Sequence, residues 1–304
     1  MSTTFTLTPA GPFSLAASAR FLEGFAPAAY EGGTSTGLDL AFAVDGYWDT
    51  VAVHLDQPGI DVVGALHAPA TLGPQVEQGA IAQVARILSL DIDGTGFPAV
   101  GVADPVVGRL QARYPGLRPV CFWSPYEAAA WAVIGQRMRI VQAAAIKSRI
   151  AADFGITLDI GGRPVTAFPA PAALAELDAC PGLGDVKITR LRGIARAALD
   201  GQLDAARLRA LPRSQALDEL LTIHGIGPFS AELILLRGAG DPDHAATAEP
   251  RLARATARAY DLPTAPSRTT LARLSQTWRP YRTWVSLLLR TMLEDDTHEI
   301  TGTR

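Results

Sequence analysis

The sequence predicts an α+β fold, in which an N-terminal antiparallel α/β domain (residues 1–104) precedes an all-helical core (residues 105–304). Three observations lead to this prediction. Short segments of β-forming residues separated by turn signals occupy the first hundred residues. After Asp104 and Pro105 the segments show helical spacing instead. The connectors between these later segments are rich in glycine and proline, as joints between helices often are.

The N-terminal domain is predicted to contain one antiparallel sheet and two helices. Strands are predicted over residues 4–8, 38–44, 50–55 and 60–66, and turn signals such as Asp45-Gly46 separate them. Helical spacing covers residues 14–24 and 74–90. In the second helix one face is apolar, formed by Val76, Ala80, Val84, Ile87 and Leu88.

The helical core is predicted to form two subdomains: a central one over about 125–238, and a second one built from 105–124 together with 239–304. A long helical stretch over residues 125–154 is interrupted near Gly135. Further helices are predicted over residues 171–179, 186–199, 204–210, 214–222, 228–238, 250–260, 268–275 and 279–294.

Composition excludes several classes of protein. With 48% apolar and 19% charged residues the chain can bury a large core. It has no run of eighteen apolar residues and no basic N-terminal segment followed by an apolar one, so neither a membrane span nor a secretory signal is expected. Cys121 and Cys180 are too few for a disulfide framework or a four-cysteine cluster, and a reduced, cytoplasmic setting is expected.

The net charge of −3 argues against a wholly basic surface, yet one segment is strongly basic. Residues 250–290 contain eight arginines and a single acid, Asp261, which is a local excess of +7. This part of the chain is therefore open to a polyanionic partner.

A glycine-containing turn at residues 223–227 (Ile-His-Gly-Ile-Gly) is the first motif with functional content, and residues 180–184 (Cys-Pro-Gly-Leu-Gly) form a weaker echo of it. A helix is predicted to end before the turn, and the next helix begins with Pro228 at its first position. Such a hairpin exposes backbone N–H groups at a helix N-terminus, where they can hold a phosphate. An ordinary corner between two helices is the alternative.

The surrounding residues add to this motif. Residues 218–259 contain the hairpin, a helix of small residues, a loop, and an acidic residue that begins a helix in the pattern acid-x-x-Leu-x-Arg (Glu249 to Arg254). This order resembles the signature of the helix–hairpin–helix DNA glycosylase superfamily. Residues 124–128 and 134–137 resemble the first core helix and Gly-Gln loop of that superfamily, and residues 168–171, 183–196 and 278–282 follow in the same order. The α/β segment ahead of the helices resembles the 3-methyladenine DNA glycosylase II (AlkA-type) branch.

Two absences indicate which activity the resemblance implies. Bifunctional glycosylase/lyases of this superfamily carry a lysine two residues after the second hairpin glycine, where this chain has Phe229. The chain has only two lysines, Lys147 and Lys187, and no cysteine after Cys180. The resemblance therefore implies a monofunctional enzyme without lyase activity and without an iron–sulfur cluster.

The acid of the motif is the expected catalytic residue. Breaking an N-glycosidic bond gives the sugar oxocarbenium character, and a carboxylate in a dry site stabilises that charge. The superfamily uses aspartate, whereas Glu249 stands at this position and is longer by one methylene. A surface glutamate at a helix start is the alternative interpretation, and Asp241 and Asp243 in the preceding loop are alternative acids.

The resemblance also assigns binding residues. Seven are expected at the DNA, with Arg137 as the residue that wedges into the duplex: Gln136, Arg137, His224, Gly225, Gly227, Ser230 and Arg254. An exposed arginine on a loop between helices is the other interpretation of Arg137. The base pocket is expected to include Tyr126, Phe229, Trp278 and Arg290, although aromatic residues on helices often belong to the core. No cofactor is required; the carbonyls of Leu221, Ile223 and Ile226 are candidate ligands for a structural monovalent cation.

The expected function is that of a monomeric enzyme that flips 3-methyladenine-like alkylated purines from duplex DNA and hydrolyses the N-glycosidic bond. Two alternatives stay open. The first is a lesion- or structure-binding protein on the same scaffold, weakened in turnover by glutamate in place of aspartate. The second is a helical protein-interaction module with an incidental hairpin.

Overall fold

The computed structural model describes residues 2–25, 27 and 37–298, and the N-terminal part is built around a four-stranded antiparallel sheet. Its strands are β1 (Ser2–Leu7), β2 (Leu38–Ala43), β3 (Thr50–Asp56) and β4 (Val62–His67), in the order β1-β4-β3-β2. Phe5 pairs with Gly64 across β1 and β4. A Cβ at residue 64 would lie 2.1 Å from Cζ of the Phe5 ring, so the ring requires glycine there. The predicted antiparallel sheet is confirmed.

Two helices cover this sheet, α1 (Leu15–Glu23) and α2 (Pro74–Ile87). Four of the five residues of the predicted apolar face of α2 are fully buried against the sheet: Ala80, Val84, Ile87 and Leu88. Val120 and Trp123 pack in the same core, although they lie beyond residue 104. The core under the sheet therefore includes residues from the segment that leads into the helical part.

The remaining described residues are mainly helical. The helices are α3 (Phe97–Ala103), α4 (Pro105–Arg113), α5 (Pro125–Ile134), α6 (Ile140–Phe154), α7 (Pro171–Ala175), α8 (Asp185–Leu199), α9 (Ala205–Ala210), α10 (Arg213–Leu221), α11 (Pro228–Leu233), α12 (Pro250–Ala259), α13 (Arg268–Leu274) and α14 (Arg282–Thr297). Several begin with proline, which costs no hydrogen bond at the first helical position. Among the described residues, no helix combines the length and the apolarity needed to cross a bilayer.

The helices pack around two further hydrophobic cores. The central core gathers buried residues of α5, α6, α8, α10 and α11. The second core combines α3, α4, α12, α13 and α14, together with Ala17 of α1. Helix α1 therefore contacts both the sheet and the second helical core.

One prediction about the helical part is wrong, because the segment after residue 105 is not free of strands. Strands β5 (Thr157–Ile160) and β6 (Arg163–Thr166) form an antiparallel hairpin. Gly161 and Gly162 both have positive φ, +59° and +87°, as a two-residue hairpin turn of the primed type requires. Ile160 packs against Ala41 and Ala52 of the sheet, so the N-terminal part buries the apolar side of this hairpin.

A buried arginine connects the sheet side of the molecule to the end of α11. Helix α11 continues as a π-helical turn over residues 234–238. The Arg86 guanidinium donates hydrogen bonds to the carbonyls of Gly238 and Trp123 and pairs with Asp45 at 3.1 Å. A Cβ at Gly238 would lie 2.8 Å from Cα of Pro125, so α11 ends in close contact with the start of α5.

Candidate active site

The hairpin between α10 and α11 has the geometry that its two glycines predict. The N–H of Ile226 donates to the carbonyl of Ile223 at 3.0 Å and closes the turn. Gly225 has a φ of +95°, which favours glycine. Gly227 is in an extended conformation and a Cβ there would meet open space. Glycine is therefore needed at residue 225 for the backbone, whereas at residue 227 it keeps the surface over the first turn of α11 clear.

The side chain of Gln136 joins the hairpin to the loop between α5 and α6. Its Nε2 donates to the carbonyl of Gly225 at 2.7 Å, and its Oε1 accepts from Arg190 at 2.7 Å. Lys187 donates to the backbone carbonyl of the same glutamine at 2.8 Å. Arg137 follows in the left-handed region, with a φ of +53°, and its side chain is exposed. The structure thus brings the predicted wedge loop next to the predicted phosphate-binding hairpin.

The other predicted DNA-binding side chains lie at the surface near this hairpin or on α12. His224 is exposed in the hairpin, and Ser230 is half-buried in the first turn of α11. Phe229, predicted to line a base pocket, is 65% exposed. Arg254 is exposed on α12. The structure therefore places an aromatic ring at the surface where the hairpin meets α11.

The carbonyl groups predicted to hold a cation belong to the same turn. The carbonyl of Ile223 accepts the N–H of Ile226 and keeps one lone pair for a further ligand. Neutral oxygen ligands of this kind suit a hard cation. The cation site formed by Leu221, Ile223 and Ile226 stays a prediction.

Glu249 lies at the start of α12, followed by Pro250 at the first helical position. Its side chain accepts no hydrogen bond from the helix it precedes. Instead, Oε1 lies 3.4 Å from Nε of Arg290 on α14, and the carboxylate side chain is only 12% exposed. The acid is thus held in a protected position, and an arginine from another helix is its charged partner.

The two alternative acids, Asp241 and Asp243, are occupied by structural ion pairs. Asp241 pairs with Arg213 of α10 at 2.6 Å. Asp243 accepts hydrogen bonds from Arg282 of α14 at 2.8 and 3.1 Å. Burial alone would raise the pKa of Asp243, but the hydrogen bonds from Arg282 outweigh it and lower that pKa below its usual value. Through these ion pairs, both acids connect the loop that leads to Glu249 with α10 and α14.

Replacing Asp243 with asparagine is expected to lower the free energy of unfolding by about 1–3 kcal/mol, because partly buried hydrogen bonds to a charged group are lost. The pKa of Asp243 is depressed in the folded state, so its contribution is present above about pH 4 and disappears as the pH falls through the folded pKa. Thermal unfolding at pH 7 and pH 3 measures both effects. Asp178→Asn is the matched control, since the Asp178 side chain is 92% exposed. Equal melting temperatures for the two variants at pH 7 would contradict the anchoring role.

A cavity of about 410 Å³ lies beside Arg290, between α1, α4 and α14. We call it the arginine cavity because it is lined by five arginines: Arg20, Arg113, Arg237, Arg251 and Arg290. Aromatic rings of Phe21, Phe25 and Tyr114 complete much of the wall, together with the acids Glu294 and Asp295. Its volume is within the range of small-molecule sites.

Arg237 is the buried member of this group. Its guanidinium carbon lies 4.8 Å from the ring centre of Phe25 and 5.3 Å from that of Phe21, and its Nη2 donates to the carbonyl of Val120 at 2.5 Å. Burial is the main reason that its pKa is lowered to about 10; Cys121 opposes this lowering, Arg290 adds to it, and Glu249 opposes it. Glu249, Arg290 and Arg237 are therefore close enough to influence one another.

No protein-family model matches the chain, whereas several known proteins are similar to it. A DNA-3-methyladenine glycosylase of Bacillus subtilis is 31% identical over 153 residues, which cover 49% of this chain and 50% of the relative. A probable bifunctional transcriptional activator/DNA repair enzyme AlkA of Mycobacterium tuberculosis is 32% identical over 225 residues, 71% of this chain and 43% of that protein. A solved 3-methyladenine DNA glycosylase from Archaeoglobus fulgidus superposes over 97% of this chain and 99% of its own, with a TM-score of 0.74 at 18% identity.

In sequence the chain is similar to AlkA-type DNA-3-methyladenine glycosylases, and in fold it is similar to a solved helix–hairpin–helix glycosylase. The predicted superfamily, branch and α+β fold class are thereby confirmed. The chain spans about half the length of the curated relatives that it matches.

Two of the aromatic residues expected in a glycosylase base pocket are core residues here. Tyr126 is buried in the central core, and its hydroxyl donates to the carbonyl of Pro169 at 2.9 Å. Trp278 is fully buried in the second core, where its Nε1 donates to the hydroxyl of Tyr260 at 3.0 Å. Neither lines the arginine cavity, and of the four predicted pocket residues only Arg290 does.

Sequence analysis missed the residues that surround Arg290 in this glycosylase fold. Phe21 lies on α1, Phe25 follows that helix, and Arg237 lies in the π-helical turn after α11. Arg251 and Arg290 belong to the basic segment over residues 250–290, but nothing in the sequence places that segment next to α1. Only the packing of α1 on the second helical core brings these residues together.

Proposed function

We propose that the protein is a monofunctional DNA glycosylase that flips an alkylated purine from duplex DNA and hydrolyses its N-glycosidic bond. The relatives named as 3-methyladenine DNA glycosylases support the reaction class. The observation that carries the proposal is the position of Glu249: a carboxylate with little exposure, at the start of α12, paired with an arginine that lines a cavity of ligand size. Glu249 is also the residue of this chain that matches the acidic position of the superfamily motif.

The chemistry assigned to Glu249 is electrostatic. As the bond from C1′ of the sugar to the base lengthens, positive charge develops on the sugar, and a nearby carboxylate stabilises it. Glu249 directly precedes α12, at the positive end of the helix dipole. Its capping hydrogen bond is absent, so the carboxylate is not held against its own helix and has Arg290 as its partner. A substrate can compete with that partner.

The DNA-binding surface proposed for this reaction is the hairpin with its neighbouring loop. The N–H groups at the start of α11 would bind a phosphate, with Gly227 leaving the approach open. Arg137 would fill the space that the flipped nucleotide vacates. Gln136 holds the two elements together through Gly225. All of these contacts come from one protein chain, so we propose that a monomer binds duplex DNA.

A direct test is the release of free base from alkylated duplex DNA by the purified protein, followed by chromatography. Release distinguishes an enzyme from the alternative, a lesion-binding protein with weakened turnover. The ion pair that occupies Glu249 is the observation that favours this alternative. Salt-dependent affinity for duplex DNA without any base release would support the binder instead.

The absence of lyase chemistry is a separate prediction. Phe229 occupies the position at which a lyase of the superfamily has its amine, so no Schiff base is expected there. Borohydride added during the reaction should trap no covalent protein–DNA adduct, and strand breaks should appear only after alkali or heat. A Phe229→Lys variant tests whether an amine at this position is sufficient for trapping. A robust adduct with the parental protein would contradict the monofunctional assignment.

A further inference from the structure

The arginine cavity has an unusual charge for a pocket that would receive a methylated base. Five arginines line it against two acids, Glu294 and Asp295, an excess of +3. Glu249 beside it reduces the excess to +2. Arg113 is paired with Asp296 at 2.9 Å and is thereby partly neutralised. Within the described part of the chain, Arg20 and Arg251 have no carboxylate at ion-pair distance.

Arg290 and Arg237 would both repel a cation in this cavity. Arg290 reaches the Glu249 carboxylate from α14, and the buried Arg237 lines the same cavity. Like charges in a partly buried site interact strongly because water screens them poorly. A purine methylated at N3 or N7 carries a positive charge in DNA. Such a base would bring a third cation against two guanidinium groups.

An uncharged base would not be repelled by these arginines, and it would be attracted to them as the reaction proceeds. When the bond between C1′ and the base breaks, the electron pair leaves with the base, so an uncharged base acquires negative charge while the sugar becomes positive. A methylated cation, by contrast, departs as a neutral molecule. A carboxylate and a guanidinium 3.4 Å apart therefore match the charge separation of an uncharged leaving base, with Glu249 toward the sugar and Arg290 toward the base.

We propose that Arg290 contacts the departing base and determines specificity, so that the arginine cavity accepts uncharged damaged purines with acceptor atoms in preference to cationic methylated purines. This inference rests on the proposed glycosylase function. Water supplies a hydroxyl group to C1′, and the proton it loses balances the proton that the released base takes up. Arg290 remains protonated throughout and contributes hydrogen bonds, for which its guanidinium group has five N–H donors.

The test compares two duplexes that differ in one base. One contains 1,N6-ethenoadenine, which is uncharged; the other contains 7-methylguanine, which is cationic. Single-turnover rates are measured for the parental protein, Arg290→Gln and Arg290→Lys, with Arg258→Gln as the control. Arg258 is an exposed arginine of α12 that pairs with Asp296 and does not line the cavity. Melting temperatures establish that each variant is folded.

The parental protein is expected to prefer the ethenoadenine duplex by at least about 10-fold, as a site with matched hydrogen bonds can. Arg290→Gln should remove most of this preference by slowing ethenoadenine release, and Arg290→Lys should restore part of it because the charge returns. Arg258→Gln should keep the parental preference. A parental preference for 7-methylguanine, or an unchanged preference in Arg290→Gln, would overturn the proposal.

Affinities for the same duplexes separate this inference from the proposed function. If no protein releases either base, the glycosylase assignment fails, and fluorescence anisotropy still reports selection of the base. In that case the parental protein must bind the ethenoadenine duplex more tightly than the 7-methylguanine duplex, and Arg290→Gln must lose the difference. If no base is released, equal affinities for the two duplexes would reject the role of Arg290.

Discussion

Replacing Glu249 with glutamine is expected to slow base release by about 100- to 1000-fold, the usual cost of removing one contact that stabilises transition-state charge. Glutamine keeps nearly the same shape, so the change removes charge and little else. The effect depends on the protected position of the carboxylate, which is 12% exposed beside Arg290. Binding to undamaged duplex should stay the same or tighten, because a carboxylate facing the phosphate backbone repels it.

The matched control for this variant is Glu294→Gln, since Glu294 is an acid of α14 that lines the arginine cavity next to Arg290. Single-turnover release, measured with saturating protein, should distinguish the two variants clearly. If Glu249→Gln releases base at the parental rate, the acid lies elsewhere. Asp241 and Asp243 would then be the next acids to replace, although both are engaged by arginines.

Glu249→Asp reports on the geometry around the acid. Pro250 fixes the helix start, and the longer glutamate reaches Arg290 from there. We therefore expect the backbone to suit glutamate, so that aspartate lowers activity by about 10-fold or more through misplacement of the charge. Activity above the parental value would instead mean that the site has kept the geometry of its aspartate-containing relatives.

Gly227→Asp is expected to abolish binding to duplex DNA while the fold is retained. The backbone at Gly227 is extended, and a side chain there would project into open space, so the substitution introduces no strain. An added carboxylate at the start of α11 would face the phosphate that the hairpin is proposed to hold. Fluorescence anisotropy at low salt should show loss of affinity by about 100-fold or more, since a charge is placed against a charge.

The chain itself contains the matched control for this experiment. Gly184 precedes α8 in the turn that echoes the hairpin, is also extended, and also has open space where a Cβ would lie. Gly184→Asp should bind duplex DNA as the parental protein does. If both variants lose affinity, nonspecific repulsion explains the result; if neither does, the hairpin does not contact DNA.

Much of the fold follows from local sequence signals. The four strands of the sheet and the long helices were predictable because alternation, helical spacing and proline at helix starts act over a few residues. Helices α3 and α4 were not predicted, since each is short and α3 has little periodicity. The hairpin at residues 157–166 lies between two predicted helices and was not predicted, although Gly161 and Gly162 form a favourable turn. Its stability depends on contact with Ala41 and Ala52.

The candidate site was predictable in part for the same reason. The hairpin glycines, Gln136 and Glu249 lie in motifs that can be identified along the chain. The pair formed by Glu249 and Arg290 joins α12 to α14, and no local pattern encodes that distance. Tyr126 and Trp278 are buried in cores, and the sequence could not show this because an aromatic side chain in a helix fits a core and a pocket equally well until the packing is known.

The hydrogen bonds of Gln136 have a consequence for the mechanics of lesion search. Because its amide group holds Gly225 while Arg190 and Lys187 hold the glutamine, the proposed phosphate clamp and the wedge at Arg137 are kept at a fixed spacing. Because the protein keeps this spacing, the DNA must deform to fit it. The free-energy cost of that deformation depends on the stiffness of the base steps involved. A weakly stacked or mispaired step yields more readily, so sampling along DNA would slow at soft steps before any base has left the helix.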